Sequence, residues 1–436
     1  MSSRSDRWAP VMVGLVVAAG LLAVAGRYGW HRDELYYLAA GLHPAFGYVD
    51  QPPLTSLVAR VAYELFGDSL VGMRLAPASA GARLPESDAR LPESDARLLA
   101  SATVAVSAFP LATGHVLSTS TFDLLAWAAL SWLLVRALRD GGRAWLPNLA
   151  WQSTHGWPRL GMASVIAGPG NGDSAPRWQI VPLQLVMIGL PLVPIWLAGL
   201  WSLALSPALR RQRAFAVAYP LLLAGLIVAG GKPYYLMGMY PVLLAAGAAP
   251  TLRWVRRRRP AARAALVAAA VLLTGATSVV LVLPLVPVRD LPGTPMAGVQ
   301  PITEETVGWP ELARTVSDVY RALPPAGRAD AIVLAGNYGE AGAVDLFRHR
   351  LPLPPAYSGH NSYADWGPPP PDSATPVIAL GLDESSLRRW FASMRPVARV
   401  DNGIGLDNTE QGRTVWLCTG RTAPWSAIWP RLRRLA

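Results

Sequence analysis

Cys418 is the only cysteine in this 436-residue chain, so no disulfide can close within it. Lys232 is the only lysine among 39 lysines and arginines. Charged residues make up only 15% and apolar ones 52%, a balance unsuited to an ordinary soluble chain of this length. The six histidines stand singly, and neither CxxC nor HExxH occurs. No metal site is legible and no cofactor is expected, although the sequence leaves a divalent cation open. The formal charge of +11 comes from arginines clustered beside apolar runs, so it sets membrane orientation rather than nucleic-acid binding.

With a mean hydropathy of +0.28, the chain places much of its apolar surface in lipid. The first run, Pro10 to Gly26, follows Arg4 and Arg7, and it lacks a convincing cleavage site. It reads as a retained first helix. Further runs cover Leu98 to Val116, Leu124 to Val135, Ile180 to Leu205, Ala214 to Gly230, Leu236 to Ala249 and Ala264 to Val288. Arginine groups at Arg136, Arg139 and Arg143, at Arg210, Arg211 and Arg213, and at Arg253, Arg256 to Arg259 and Arg263 mark cytoplasmic loops. The N-terminus is then cytoplasmic, and everything beyond Val288 lies outside. The expected division is a helical membrane domain over 1–288 and an extracytoplasmic domain over 289–436.

Two crossings are missing from this scheme. Leu54 to Ala82 carries Arg60, Glu64, Asp68 and Arg74, a charge density costly in lipid. RLPESDA then occurs twice in tandem, Arg83 to Ala89 and Arg90 to Ala96, and reads as a polar linker. After Arg143, the only apolar stretch near is Ala144 to Trp151, too short to span. Roughly seven to nine membrane helices remain expected. The tail changes character. Ala331 to Leu334 and Pro376 to Leu380 read as short buried strands, each followed by a helical pattern, GNYGEAGAVDLF and DESSLRRWFASM. Such units predict a small α/β domain. The turn Gly336 to Glu340 offers backbone amides but lacks a phosphate-loop pattern, so an ordinary tight turn explains it better.

The richest candidate site lies just beyond helix one. Gly29 to Tyr37 supplies His31, Arg32, Asp33, Glu34 and Tyr37, and Gly47 to Leu54 adds Tyr48, Asp50 and Gln51. An acid pair at a membrane surface can take a proton from an acceptor hydroxyl. The plainer alternative is a solvated loop with aromatic interface anchors. Lys232 also stands out, beside two glycines at an outer helix end. It suits a lipid phosphate or a cation snorkelling to the interface.

HRDELYYLAAG, GYVDQPPL and LFGDSLVGMRLAPA together resemble glycosyltransferase family 39, which holds the protein O-mannosyltransferases and the bacterial aminoarabinose transferases. LSTSTFDLLAW and GGKPYYLMGMYPVLL extend the likeness, and the tail resembles the C-terminal domain of actinobacterial members. The resemblance implies the GT-C fold of many membrane helices with a soluble α/β domain. It implies transfer of a sugar, a hexose such as mannose, from a polyprenyl-phosphate carrier. The acceptor is a protein, a lipid or a cell-wall glycan outside the cytoplasm.

Residue by residue, the resemblance makes Asp33 the catalytic carboxylate, Glu34 its neighbour and Asp123 the acid of the second outer loop. Lys232 and Tyr235 become contacts to the donor phosphate. Gln51 stands where aminoarabinose transferases carry a lysine, so that phosphate contact is either absent or supplied by another residue, with Arg74 the candidate. His31, Tyr37, Tyr48 and Asp50 line the substrate loop. The two missing crossings fall where the family has helices. They leave a second reading: a degenerate member that binds lipid or partner proteins without turnover.

Overall fold

The structure, a computed structural model, describes residues 5–84, 94–140, 176–299, 301–370 and 376–435. Most of the RLPESDA repeat and the stub Ala144 to Trp151 lie outside the described residues. The last residues of the repeat, Ser94 to Ala96, open a helix.

The chain forms two compact units, and they do not divide at residue 288. The first unit comprises 1–23, 77–115 and 120–283, and the second comprises 24–76, 116–119 and 284–436. The outer loop after helix one and a four-residue piece at 116–119 thus fold with the C-terminal domain. The cause is polar. Arg27 Nη1 donates to the carbonyls of Pro284 and Leu285, and the Tyr28 hydroxyl donates to Val286 O at 2.8 Å.

The first unit is a helical bundle. Helices α1 (Ser5–Val24), α5 (Ser94–Val106), α6 (Ala108–His115) and α7 (Thr119–Asp140) supply most of their residues to it. Ile180–Ile188, Val193–Leu205, Arg213–Ala229, Tyr240–Arg257 and Pro260–Val282 complete it. Two helices meet backbone to backbone through glycine. A Cβ on Gly199 would lie 1.8 Å from Leu243 O, and one on Gly247 2.0 Å from Ile195 O. Small residues at such crossings let membrane helices approach closely.

Among the described residues, three helical stretches are long and apolar enough to cross a membrane: Pro207–Ala229, Pro233–Arg257 and Pro260–Val282. The count reaches five if each of two bent pairs is one span, and Trp8–Val24 is a shorter apolar helix. The expected seven to nine refers to the whole chain, of which 85–93 and 141–175 lie outside the described residues. The run at Leu98 bends by 57° between Ser94–Val106 and Ala108–His115. Ser107 Oγ at that bend donates to Thr103 O and Ile188 O. The run at Ile180 bends by 84° at Gly189, whose φ of +95° suits only glycine.

In the second unit, α2 (Arg32–Leu42), α3 (Pro53–Phe66) and the first half of α4 (Leu70–Arg83) stand beside a five-stranded sheet domain. Neither α3 nor α4 is a span. α3 buries Thr55, Ser56, Ala59 and Ala62, while Leu54, Leu57, Val61 and Leu65 form an exposed apolar stripe. That pattern suits a helix lying on a membrane surface.

The sheet order is β2-β1-β3-β5-β4. β1 (Ile332–Ala335) pairs in parallel with β2 (Ala356–Ser358) and β3 (Val377–Leu380). β5 (Thr414–Arg421) runs antiparallel to β3 and to β4 (Phe391–Arg399). The parallel part matches the two expected strands. The expected helix over DESSLRRWFASM does not hold. It stops at Glu384–Leu387, and Phe391 begins β4, because the ladder to β5 satisfies that backbone. The strands bury Ile332, Leu334, Val377, Ala379 and Cys418 against Trp425, Ile428 and Trp429.

Candidate functional site

The local sequence starts α2 strongly. His31 is its N-cap: Nδ1 accepts from Asp33 N at 3.2 Å, while Glu34 Oε2 returns to His31 N at 2.8 Å. That capping box satisfies amides the helix leaves open. It also sends the two acids in different directions.

Glu34 points inward and is fully buried. Arg74 Nε donates to its Oε1 at 3.0 Å and Nη2 to its Oε2 at 2.9 Å. Leu117 N donates to Oε1 at 3.0 Å. Burial alone would push the Glu34 carboxyl up, but Arg74 and the two backbone amides outweigh it and hold the group below its ordinary range. Arg74 spends its remaining donors on Ala25 O and Gly29 O, both at 2.8 Å. At 1% exposure it is a buried strut, not the donor-phosphate contact expected of it. A guanidinium committed to one carboxylate and two carbonyls has little left for a ligand.

Asp33 keeps 31% of its side chain exposed. Its Oδ1 accepts from the Tyr338 hydroxyl at 2.8 Å. That hydroxyl accepts from Arg32 Nε at 3.2 Å and Nη2 at 3.0 Å. Burial, and then the Asp33 charge, hold the Tyr338 phenol well above its usual range. Glu305 ties the group together. Its Oε1 accepts from Arg32 Nη1 at 3.2 Å, and its Oε2 lies 2.9 Å from His31 Nε2. Burial disfavours the His31 imidazolium, but Glu305, Asp33 and Glu34 prevail and raise it. Because Nδ1 accepts the Asp33 amide, the His31 proton sits on Nε2, facing Glu305.

The remaining substrate-loop residues are held in the same unit. Asp50 accepts from Tyr36 Oη at 2.8 Å and from Asn361 Nδ2 at 3.1 Å, and burial raises its carboxyl. Tyr37 is buried within reach of the Asp33 and Asp50 charges, and burial chiefly raises its phenol. The Tyr48 hydroxyl donates to Ala40 O at 2.8 Å, so it staples the loop to α2 rather than facing a substrate. Tyr36 stacks with Tyr338, Tyr363 and Trp366 at 4.7, 6.3 and 6.3 Å.

Lys232, Tyr235 and Asp123 fall in the first unit. Lys232 N-caps the 3-10 turn Pro233–Met239, with Nζ 6.0 Å from the Tyr234 ring centroid. Gln184 Nε2 donates to Pro233 O at 2.8 Å, and the Tyr240 hydroxyl donates to Gln184 Oε1. These buried bonds fix the turn that carries Lys232. Tyr235 is exposed, and both Lys232 and Asp123 lie within electrostatic reach of it. Among the described residues, no group of three or more His, Cys, Asp or Glu is gathered to hold a metal.

Sequence reading missed Glu305 and Tyr338. Tyr338 lay in a segment read as a tight turn, and its aromatic ring was the available signal. Glu305 follows Glu304 in a stretch without pattern, and nothing local distinguishes the two acids.

The fold has solved counterparts. The chain is similar to ArnT from Cupriavidus metallidurans in the apo state, with a TM-score of 0.50, 13% identity and coverage of 95% of this chain and 98% of that one. ArnT from the same organism bound to undecaprenyl phosphate matches with a TM-score of 0.48 and 15% identity, over 94% and 97% of the two chains. No protein-family model matches the chain, and no curated protein matches it in sequence. The fold is that of a polytopic α-helical GT-C protein with a C-terminal α/β domain, as the sequence implies.

Proposed function

We propose that the chain is a membrane glycosyltransferase that moves a sugar from a polyprenyl-phosphate carrier to an acceptor outside the cytoplasm. The observation that carries this reading is the division of labour between Asp33 and Glu34. One carboxylate is locked in a buried pair, and its neighbour is left reachable at the start of α2. A GT-C fold gives that acid a setting in which sugar transfer is expected.

The acceptor hydroxyl attacks the anomeric carbon on the face opposite the phosphate. Its proton passes to Asp33, the bond from the anomeric carbon to the phosphate oxygen breaks, and the phosphate leaves with the electron pair. The anomeric centre inverts. A phosphate leaving group needs little protonation, so one reachable carboxylate suffices, unlike the carboxyl pair of glycoside hydrolysis. From the family resemblance, Lys232 and Tyr235 are the candidates to bind the donor phosphate, and Asp123 is the acid of the second outer loop. A hexose such as mannose is the proposed cargo, from the resemblance to the O-mannosyltransferases. The acceptor is a protein, a lipid or a cell-wall glycan.

The two crossings that the sequence pattern lacks leave a second reading, a lipid- or partner-binding relative without turnover. Transfer of label from polyprenyl-phosphate mannose in purified membranes separates the two. The wild type should pass label to an acceptor, and Asp33→Asn should lose about two to four orders of magnitude in rate. Full transfer by Asp33→Asn would remove Asp33 from the mechanism, and no transfer by the wild type would favour the binding role.

A further inference from the structure

We propose that Tyr338, from the C-terminal α/β domain, is a positioning residue for Asp33, fixing which carboxylate oxygen faces the acceptor. The role of Asp33 in transfer is taken from the function proposed above.

The geometry leaves the phenol little freedom. A tyrosine hydroxyl has one proton to give. Arg32 fills its acceptor side through Nε and Nη2, so the proton points to Asp33 Oδ1 at 2.8 Å. Oδ1 is thereby occupied, and Oδ2 remains as the oxygen that receives the acceptor proton. Arg32 cannot swing away, because Glu305 holds its Nη1, and Arg32 N donates to Glu305 O at 3.2 Å.

The backbone that carries Tyr338 is equally fixed. Asn337 caps the helix Tyr338–Phe347, accepting from Glu340 N at 2.9 Å, while Glu340 Oε2 accepts from Gly336 N and Asn337 N. This helix packs on α2 through glycine. A Cβ on Gly342 would lie 3.0 Å from Leu35 backbone atoms, and one on Gly339 3.1 Å from Arg32 Cβ. The closeness of the two helices sets the height of the hydroxyl above Asp33. The tyrosine ring is held by Tyr36 at 4.7 Å and His360 at 4.8 Å. The charged and titratable groups facing Asp33 are His31, Arg32, Tyr37, Asp50 and Tyr338. Tyr338 is the one that donates a hydrogen bond to the Asp33 side chain among the described residues.

A hydrogen bond to one carboxylate oxygen makes the two carbon–oxygen bonds unequal, so losing it changes the carboxylate stretching frequencies of Asp33. Tyr338→Phe keeps the ring and deletes only the hydroxyl, so folding should survive. The test has two readouts on the full-length protein. Infrared difference spectra at one pH, with Asp33→Asn as the blank, should show the Asp33 carboxylate stretches at different frequencies in Tyr338→Phe and in the wild type. Transfer assays should give Tyr338→Phe a kcat about tenfold to a hundredfold lower, with donor KM unchanged. Asp33 carboxylate stretches identical in the two proteins overturn the proposal, whatever the transfer rates. Shifted stretches in a protein without transfer uphold the positioning and sink the transferase reading instead.

Discussion

Glu34 and Arg74 form an ion pair at 2.9 Å with side chains 0% and 1% exposed, forty residues apart in the chain. Arg74 also holds the carbonyls of Ala25 and Gly29, so the pair locks the exit of α1, the start of α2 and the middle of α4 into one unit. Its role is architectural, and it keeps α2 where Asp33 can be reached.

Removing one partner should therefore be severe. Arg74→Met leaves a buried carboxylate with backbone donors alone, a loss of about 3–5 kcal/mol. The double variant Glu34→Gln with Arg74→Met should cost less than the sum of the two singles, since no bare charge remains. Thermal melting of the purified protein reads both. The Glu34 carboxyl is held below its ordinary value, so its contribution is complete above about pH 4.5 and is lost as pH falls through the lowered folded value. The acid limb of stability should flatten in Glu34→Gln. An Arg74→Met protein that melts with the wild type would show that the pair is not buried in solution.

Glu340 should behave in the opposite sense. Its Oε1 has no donor among the described residues, and Glu410, which accepts from Asn337 Nδ2, faces it with an oxygen equally unserved. Burial, and then the Glu410 charge, push the Glu340 carboxyl well up. A folded value above the unfolded one contributes stability that is complete below about pH 4.5 and fades as pH rises. In Glu340→Gln, the amide oxygen keeps the bonds from Gly336 N and Asn337 N, and the amide nitrogen donates to Glu410. The variant should gain about 1–3 kcal/mol at pH 8, with the gain shrinking toward pH 5. A variant less stable than the wild type at pH 8 would mean that the pair carries a cation rather than a proton.

Much of this was readable from order along the chain. The apolar runs, the strands at Ile332 and Val377 and the acid pair at Asp33-Glu34 all announce themselves locally. What each acid does was not readable, because the answer lies in partners far away. Glu34 is defined by Arg74 forty residues on, and Asp33 by Tyr338, 305 residues on. The same holds for β4. WFASMRPVAR has no strand alternation, and only the ladder to Thr414–Arg421 makes it one. The grouping of 24–76 with 284–436 was not readable either, since Arg27 and Tyr28 bond to carbonyls of Pro284 to Val286, a closure no local pattern announces.

Lys232 is the test of the donor side. The buried bonds of Gln184 to Pro233 O and of Tyr240 to Gln184 fix the turn it caps. Lys232→Ala should raise the KM for a polyprenyl-phosphate sugar about tenfold or more and leave acceptor KM unchanged. Lys232→Arg should recover part of that, since the charge returns on a differently shaped head. Unchanged donor dependence in both variants would leave Lys232 as an interfacial anchor.

Orientation follows from the helix Pro260–Val282 and the residues before it. Only 11% of its most apolar window is buried against protein, compared with 56% for Pro233–Arg257, so its surface is left for lipid. Arg253, Arg256 to Arg259 and Arg263 cluster at its N-terminal end, and Arg263 stacks on Trp254 with its guanidinium carbon 4.5 Å from the ring centroid. Moving that much positive charge across a membrane is strongly disfavoured, so this end should stay in the cytoplasm. The helix should then exit on the other side, and the five-stranded domain beyond it, with Tyr338, should lie outside. A reporter enzyme active only outside the cytoplasm, fused after Ala436, should be active, and a cytoplasm-dependent reporter at the same place should be silent. The reverse pattern would put Asp33 and Tyr338 on the cytoplasmic face and rule out transfer to an external acceptor.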